Sequence, residues 1–334
     1  MKVLQKVYMR GVFAFLIFCF LGEIQSESLA GLLFRKKTDN GLAQEKGNRL
    51  FSLRYGDQQR QYYVHVPASY NPKRQTPVIL VFHGGGGNAL NAMKSTQMNQ
   101  TSEKYGFLAV FPQGTGPKRR GKIIGTWNAD QCCGTAEKDQ TDDVGFTSAM
   151  LDDLTKHFNV DTQRVFATGH SNGALFCYIL ACELSDRIAA IAPNSGQDSL
   201  NSCQPKRPIA IIHFHGTADQ SAKYQGGQCG GRLGDDGWKC MSVPEYIDQW
   251  RKMDGCSDQK HVSYQNGAAT CVTYGSCPDA VEVTLCTIEG AGHTWPGGQY
   301  DRDGRFWKKF VGPLSHDISA NEAMWEFFKK HPLP

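Results

Sequence analysis

A serine between glycines is the strongest chemical signal in this sequence. The pentapeptide Gly169-His-Ser171-Asn-Gly173 follows the apolar run Arg164–Thr168 and precedes a helix-like pattern, Asn172–Leu184. A serine on such a strand-to-helix turn exposes its hydroxyl, and the helix N-terminus supplies unbonded N–H groups and the positive end of a dipole. The pattern predicts Ser171 as the nucleophile of an acyl transfer. A chance match in a chain with 36 glycines is the alternative, and the flanking strand and helix weigh against it.

A glycine-rich loop could stabilise the charge that such a reaction creates. The segment His83-Gly-Gly-Gly-Gly-Asn88 follows another apolar run, Pro77–His83. Glycines let the backbone approach a substrate closely, and loops of this type contribute an N–H group to oxyanion holes. We expect the two donors to be the N–H groups of Gly85 and Asn172. A plain flexible turn is the alternative, whereas a phosphate-binding loop is excluded because no Gly-Lys-Ser/Thr follows.

The residues that would activate Ser171 follow two later apolar runs. In folds built around this turn, the acid and the histidine come after the serine, each beyond the end of a strand. Asp219 follows the run Pro208–Phe214, and His293 follows Val281–Ile288 among small residues. This order predicts that Asp219 orients the imidazole of His293 and that His293 acts as the general base.

Two tryptophans are candidates for contacting a substrate. Trp295 comes two residues after His293, and Trp127 lies in a polar loop. Either indole could form an aromatic wall against an acyl or aryl group, and ordinary loop packing is the alternative for both.

Some other side chains that could do chemistry have simpler explanations. His213 and His215 alternate on a predicted strand, but no third metal ligand is evident, so packing is favoured over a metal site. Asp142 and Asp143 fit a helix N-terminus, where acidic side chains suit the dipole. His170 is expected to point away from the site because of the turn at the serine. No cofactor and no metal are predicted.

The elements that position these residues alternate between strands and helices. Continuous apolar runs typical of buried parallel strands are separated by helix-length patterns, which predicts an α/β fold with a mostly parallel central sheet flanked by helices. We predict an outer antiparallel strand at Arg60–Pro67, a loop at Gly226–Cys240 and a closing helix at Ala320–Lys330. The remaining predicted strands are Phe107–Phe111 and Ile188–Ala192, and the remaining helices are Asn91–Lys104 and Val144–His157.

Composition limits the class of protein and its partners. The chain has 334 residues, of which 40% are hydrophobic and 20% charged, which favours a folded domain over disorder. The formal net charge is +4, and without the charges of residues 1–26 it is +2. This is too weak to argue for a nucleic acid or an anionic membrane as partner. We predict a signal peptide at 1–26, a leader at 27–48 and one catalytic domain at 49–334.

The N-terminus and the cysteines together predict secretion. Basic residues precede an apolar run of about 11 residues, Gly11–Leu21, which is shorter than the roughly 20 needed to span a bilayer. An uncleaved membrane anchor is the alternative. Of 12 cysteines, Cys19 lies in this segment and an odd number remain, which predicts disulfides plus a free thiol, with Cys177 or Cys182 as the buried candidate. Asn99 starts a glycosylation sequon.

Taken together, these motifs resemble polyhydroxybutyrate depolymerase-like and feruloyl esterase-like enzymes of carbohydrate esterase family one. The resemblance covers about residues 50 to 300 and implies a disulfide-containing α/β-hydrolase fold, ester cleavage without a cofactor, and Ser171, Asp219 and His293 as the triad. This chain departs from the family at Ala174 and in the segment after Asp219, and such loop differences bear on substrate choice. The motifs that match are Val78–Asn88, Phe111–Gly114, Thr126–Asn128, Cys132–Gly134, Asp142–Phe146, Gly169–Gly173, Ala181–Pro193, His215–Asp219 and Gly290–Gly298.

The sequence is compatible with three classes of function. The favoured one is a secreted serine esterase that acts on feruloyl or acetyl esters of polysaccharides or on short polyhydroxyalkanoate esters. A catalytically silent binding or matrix protein with an esterase fold is a second class. A peptidase is a third, because a triad does not dictate ester over amide.

Overall fold

Apolar segments of the sequence form the centre of one ten-stranded sheet. The computed structural model describes residues 46–119, 121–197, 203–230, 237–300 and 304–334. These residues all belong to one compact unit, Phe34–Pro334. The predicted signal peptide and most of the predicted leader lie outside the described residues. The first strand begins at Gly47, which is inside the predicted leader.

The described strands fall into the large sheet and two small hairpins. The strands of the large sheet are β1 (Gly47–Tyr55), β2 (Gln58–Val66), β3 (Thr76–Phe82), β4 (Leu108–Pro112), β7 (Val160–His170), β8 (Ala190–Asn194), β9 (Ala210–Gly216), β12 (Lys260–Asn266), β13 (Ala269–Tyr274) and β14 (Val283–Ile288). The hairpins pair β5 (Lys118–Arg119) with β6 (Lys122–Ile123), and β10 (Gly227–Cys229) with β11 (Trp238–Cys240).

Six parallel strands occupy the middle of the large sheet. The order across the sheet is β1-β2-β4-β3-β7-β8-β9-β14-β13-β12. All neighbours from β4 to β14 run parallel, and the strands outside them are antiparallel. The mostly parallel sheet confirms the predicted fold class. Parallel strands place their carboxyl ends along one edge, so the loops after β3, β7, β9 and β14 lie on the same side.

The described helices cover both faces of this sheet. They are α1 (Ala89–Thr96), α2 (Met98–Tyr105), α3 (Gly134–Lys138), α4 (Asp143–His157), α5 (Asn172–Glu183), α6 (Val243–Met253), α7 (Arg305–Val311) and α8 (Ala320–Phe328). Alternate residues of β3 enter different cores, because successive side chains of a strand point to opposite faces. Val78, Leu80 and Phe82 pack with α4, α5 and α6, whereas Ile79 and Val81 pack with α1, α2 and α8. No described helix has the length and apolarity needed to cross a bilayer.

One predicted helix is divided in the structure. The single helix predicted at Asn91–Lys104 is two helices, because Gln97 adopts a left-handed conformation with φ of 54°. The hydroxyl of Thr96 donates to Ala92 O and accepts from the N–H of Met98. A side chain that bonds to nearby backbone groups in this way competes with the helical pattern and favours a break.

The predicted loop at Gly226–Cys240 is wrong in part. Its two ends form the short hairpin β10–β11, and a disulfide joins Cys229 to Cys240 within it. Backbone pairing and the disulfide join the two ends of the segment, and its Gly- and Asp-rich composition does not reveal which cysteines pair. The strand predicted at Arg60–Pro67 is antiparallel, as expected, but β1 lies outside it at the edge of the sheet.

Five disulfides and one free thiol account for the cysteines of the described residues. The free cysteine is Cys177, which is buried, whereas Cys182 pairs with Cys203. This confirms the prediction that one of the two helix cysteines is a buried thiol. The other bridges are Cys132–Cys133, Cys229–Cys240, Cys256–Cys277 and Cys271–Cys286.

A buried carboxyl after α6 should make stability depend on pH. Asp254 is 1% exposed, accepts a hydrogen bond from the N–H of Ile209, and has a second oxygen without a partner among the described residues. Burial raises the pKa of Asp254 to about 7, although the Ile209 hydrogen bond and the charge of Arg207 oppose the shift. The pKa of Asp254 is higher in the folded than in the unfolded state. Between about pH 4 and about pH 7 the carboxyl ionises in the unfolded state but stays protonated in the folded state, so the free energy of unfolding falls as the pH rises.

We therefore expect Asp254→Asn to remove this dependence. Asparagine keeps an acceptor for Ile209 and does not ionise. Between pH 5 and pH 8, the free energy of unfolding of the wild type should fall by about 2–3 kcal/mol relative to the variant, as measured by urea denaturation. Asp57→Asn, at a fully exposed carboxylate, is the control and should follow the wild type. Parallel pH profiles for wild type and Asp254→Asn would contradict the assignment.

Candidate active site

Ser171 lies on a tight turn between β7 and α5. Its backbone has φ of 57° and ψ of −122°, a conformation that non-glycine residues seldom adopt and that the surrounding structure must hold in place. A β-carbon at Gly169 would overlap the carbonyl of Gly173, and one at Gly173 would overlap the carbonyl oxygens of Phe82 and His83. The two flanking glycines are therefore needed for the turn to close and to pack against the end of β3.

The glycine loop after β3 lies beside this turn. A β-carbon at Gly84 would lie 3.3 Å from the Cβ of Ser171, and one at Gly85 would lie 3.5 Å from the Cβ of Asn172. Asn172 is the first residue of α5, so its N–H has no acceptor within the helix. Among the hydrogen bonds of the described residues, neither this N–H nor that of Gly85 has an acceptor. Two unbonded donors therefore lie close together next to Ser171.

His83 braces the glycine loop. Its Nδ1 donates to Gly84 O at 2.9 Å, and its Nε2 accepts from the N–H of Gly114 at 3.0 Å. Burial lowers the pKa of His83 to about 4, so the ring is neutral at neutral pH and keeps one donor and one acceptor.

The side chain of Asn172 is bonded to the loop that follows β6. Its Oδ1 accepts from the N–H of Trp127 at 2.8 Å, and its Nδ2 donates to Trp127 O at 3.0 Å and to Cys132 O at 3.2 Å. The Cys132–Cys133 disulfide thus borders the glycine loop and the start of α5. Sequence reasoning missed this contact, because nothing in the local pattern brings residue 132 to residue 172.

Asp219 and His293 meet beyond the ends of β9 and β14. Asp219 Oδ2 accepts from His293 Nδ1 at 2.7 Å, and Asp219 Oδ1 accepts from the N–H groups of Ser221 and Ala222. Burial raises the pKa of the Asp219 carboxyl, but the charge and hydrogen bond of His293 outweigh it and lower the pKa to about 2. The carboxylate therefore stays ionised, and a proton on Nδ1 leaves Nε2 of a neutral imidazole free to accept another.

His170 connects the serine turn to the histidine loop, contrary to the sequence prediction. It was expected to point away from the site, but its ring centroid lies 4.5 Å from that of His293. Asn194 Nδ2 donates to His170 Nδ1 at 2.7 Å and to Thr294 O at 3.0 Å. Burial and the adjacent His293 lower the pKa of His170 to about 3. The neutral imidazole of His170 can therefore pack against His293 without repelling it. The alternation of side chains along β7 does not reveal this contact.

Both predicted substrate-contacting tryptophans are buried. Trp127 is 0% exposed, packs against Phe82 and Phe176, and donates from Nε1 to His83 O. Trp295 is 3% exposed and donates from Nε1 to Asn321 Oδ1 at 2.9 Å. These contacts favour packing for both rings. Trp127 also holds Asn172 through its backbone.

The acidic pair and the strand histidines have structural partners. Asp142 caps α4 by accepting from the N–H of Gly145, which confirms the predicted helix N-terminus. Asp143 forms a buried ion pair with Arg60 at 2.7 Å. His213 and His215 bond to each other, and the described residues contain no His, Cys, Asp and Glu cluster suited to a metal ion.

Comparisons with known proteins find esterases among the sequence relatives and the structural neighbours of this chain. A family model described as "Putative esterase" matches residues 54–284. Feruloyl esterase B of Piromyces equi is 29% identical over 76% of this chain and 46% of its own length. A bifunctional acetylxylan esterase/xylanase of Neocallimastix patriciarum is 27% identical over 69% of this chain and 31% of its own length. The chain thus spans less than half the length of these two relatives.

A solved structure supports the same fold. The acetyl xylan esterase from Aspergillus awamori superposes with a TM-score of 0.56 and 16% sequence identity, over 84% of this chain and 98% of the other. At this identity the likeness concerns the fold alone. It confirms the predicted α/β-hydrolase fold.

The close packing of the serine turn leads to a stability prediction. Gly173→Ala places a β-carbon against two backbone carbonyls of the β3 end, so we expect a loss of roughly 3 kcal/mol in the free energy of unfolding. Gly275→Ala is the matched control, because a β-carbon there meets nothing within 4 Å, and it should change stability by less than about 0.5 kcal/mol. Equal effects of the two substitutions in urea denaturation would contradict the account of the turn.

Proposed function

Because the chain belongs to the esterase family whose model it matches, we propose that it is a serine carboxylic ester hydrolase that works through an acyl-enzyme. In this proposal Ser171 is the nucleophile, His293 the general base and Asp219 the residue that orients His293. The N–H groups of Gly85 and Asn172 form the oxyanion hole. The proposal needs no cofactor.

One observation carries the proposal. The buried Asp219–His293 hydrogen bond of 2.7 Å ends at an imidazole that packs on His170, the residue directly before Ser171. Asp219 and His293 therefore meet beside the turn that carries Ser171, which supports the proposed roles of a carboxylate, an imidazole and a hydroxyl from three separate strand ends. This is the arrangement that nucleophilic catalysis by serine requires.

The first half-reaction acylates the serine. His293 Nε2 takes the proton of the Ser171 hydroxyl as the oxygen attacks the ester carbonyl, and the N–H groups of Gly85 and Asn172 stabilise the oxyanion. Removing one such donor typically costs about 3 kcal/mol of transition-state stabilisation. The imidazolium, stabilised by Asp219, then gives its proton to the leaving alcohol as the C–O bond breaks.

The second half-reaction regenerates the enzyme. His293 removes a proton from water, the resulting nucleophile attacks the acyl-enzyme, and the carboxylic acid leaves as Ser171 recovers its proton. Both half-reactions therefore require His293 to accept a proton at Nε2.

We propose feruloyl or acetyl esters of plant polysaccharides as the substrate class and a secreted location. The names of the relatives from Piromyces equi and Neocallimastix patriciarum support the first proposal. Five disulfides among the described residues support the second, because such bonds persist in oxidising compartments.

Replacing the serine tests the mechanism. Ser171→Ala should reduce kcat on p-nitrophenyl acetate by at least about 1,000-fold, because the nucleophile is lost while the fold remains. Ser52→Ala, at an exposed serine of β1, should keep wild-type activity. A fluorophosphonate probe should label the wild type at Ser171 and leave Ser171→Ala unlabelled. Substantial turnover by a folded Ser171→Ala variant would remove Ser171 from the role of nucleophile.

A substrate panel tests the proposed class. Methyl ferulate or p-nitrophenyl acetate should be hydrolysed with a kcat/KM at least tenfold above that for hydroxybutyrate oligomers. A preference for the oligomers would favour polyester cleavage, and cleavage of peptide amides at comparable rates would favour a peptidase.

A further inference from the structure

Three buried side chains form a continuous hydrogen-bonded chain next to the candidate triad. Tyr178 Oη lies 2.8 Å from His213 Nδ1, His213 Nε2 lies 2.9 Å from His215 Nδ1, and His215 Nε2 lies 2.7 Å from Ala222 O. Tyr178 is 2% exposed and both histidines are 0% exposed. We call Tyr178, His213 and His215 the tyrosine–histidine chain.

The last acceptor fixes the direction of every hydrogen bond in this chain. A carbonyl oxygen can only accept, so His215 Nε2 must donate to Ala222 O. Burial lowers the pKa of both histidines, and each neutral ring therefore carries one proton. His215 Nδ1 must then accept from His213 Nε2, and His213 Nδ1 must accept from the hydroxyl of Tyr178. One arrangement of protons satisfies all three side chains.

The chain ends on the turn that holds Asp219. The carbonyl of Ala222 accepts from His215, and the N–H of Ala222 donates to Asp219 Oδ1 at 2.9 Å. His215 Nε2 also lies 3.6 Å from Asp219 Oδ2, the oxygen that bonds to His293. The N–H of the neutral His215 ring therefore fixes the turn and places its partial positive charge near the carboxylate.

The other end of the chain lies on the helix that follows the nucleophile. Tyr178 belongs to α5, which begins directly after Ser171. Its ring stacks on Trp250 at 5.3 Å and packs edge-on against Tyr246 at 4.8 Å, so the hydroxyl is held in a fixed position. The chain thus links the element that carries Ser171 to the turn that carries Asp219.

We propose that Tyr178, His213 and His215 are positioning residues of the triad, which hold Asp219 at the distance and orientation that His293 requires. This inference rests on the proposed function, since it assigns the chain a task in the same reaction. A set of hydrogen bonds that only satisfied buried polar groups would stabilise the fold without a specific effect on catalysis. The two cases differ in what removal of the chain does to kcat and to its pH dependence.

Substitutions at the two ends of the chain separate these cases. His215→Phe removes the donor to Ala222 O, and Tyr178→Phe removes only the hydroxyl that begins the chain. Small displacements of a catalytic group can cost up to about 100-fold in rate, so we expect kcat on p-nitrophenyl acetate to fall about 10- to 100-fold in His215→Phe and about 3- to 10-fold in Tyr178→Phe. KM should stay within about threefold of the wild type, because the chain does not contact the substrate.

A pH profile supplies a readout that a purely structural role would not move. If Asp219 is displaced, it stabilises the imidazolium of His293 less, and the acid limb of the kcat/KM profile should move to lower pH by about half a unit or more. Asp219, His170 and His215 are the titratable neighbours that bear on His293. His215→Gln, whose amide can donate to Ala222 O, should recover part of the lost kcat and return the limb toward the wild type.

His65→Gln is the matched control for loss of a buried histidine. His65 is 6% exposed on β2 and bonds to Asn48 and Glu103, which are outside the candidate site. It should keep kcat within about twofold of the wild type whatever its effect on melting temperature.

The outcomes distinguish this inference from the proposed function. Suppose that activity requires Ser171. If the folded variants His215→Phe and Tyr178→Phe then keep wild-type kcat, or lose kcat without a shift of the acid limb, the positioning role is refuted. The proposed esterase function would still stand. If His215→Phe does not fold, Tyr178→Phe decides by the same criteria. If Ser171→Ala keeps its activity, the proposed function itself fails.

Discussion

The backbone turn at Ser171 is the constraint on which the rest of the candidate site depends. A φ of 57° at a serine is unfavourable, and it persists because β7, α5 and the end of β3 pack together with no side chain between them. The same contact brings Gly85 beside Asn172, so one packing arrangement places the serine turn next to the two unbonded N–H groups. A larger residue at position 169 or 173 would disturb both at once.

The electrostatics around this turn favour a single ionised carboxylate among neutral rings. Burial lowers the pKa values of His83, His170 and His215, so each is neutral at neutral pH. Asp219 is the exception, because His293 and two backbone N–H groups compensate for the burial of its charge. With neutral neighbours, an imidazolium formed at His293 would meet one close partner of opposite charge. Because these groups are buried, the local dielectric constant is low, which strengthens the interaction between Asp219 and the imidazolium. The groups are already in position, so no rearrangement is needed during the reaction.

Local sequence patterns were sufficient to predict the central strands, the serine turn, the glycine loop and the loops that carry Asp219 and His293. These features depend on neighbouring residues: continuous apolar runs form strands buried on both faces, and glycines occur where a β-carbon would collide. The features that were missed depend on particular side-chain contacts rather than on hydrophobic patterning. The hairpin β10–β11 is joined by a disulfide, and the break at Gln97 depends on the hydroxyl of Thr96. The contact of His170 with His293, and that of Asn172 with Cys132, involve residues more than 35 positions apart.

We infer that Ser171, His293 and the two N–H groups act on one reacting centre. A crystal structure of the protein inactivated by diethyl p-nitrophenyl phosphate would measure this directly. We expect phosphorus bonded to Ser171 Oγ, a phosphoryl oxygen roughly 2.7–3.1 Å from the backbone nitrogens of both Gly85 and Asn172, and the His293 ring within hydrogen-bonding distance of Ser171 Oγ. Phosphorus on another residue, or a phosphoryl oxygen directed away from both nitrogens, would contradict it.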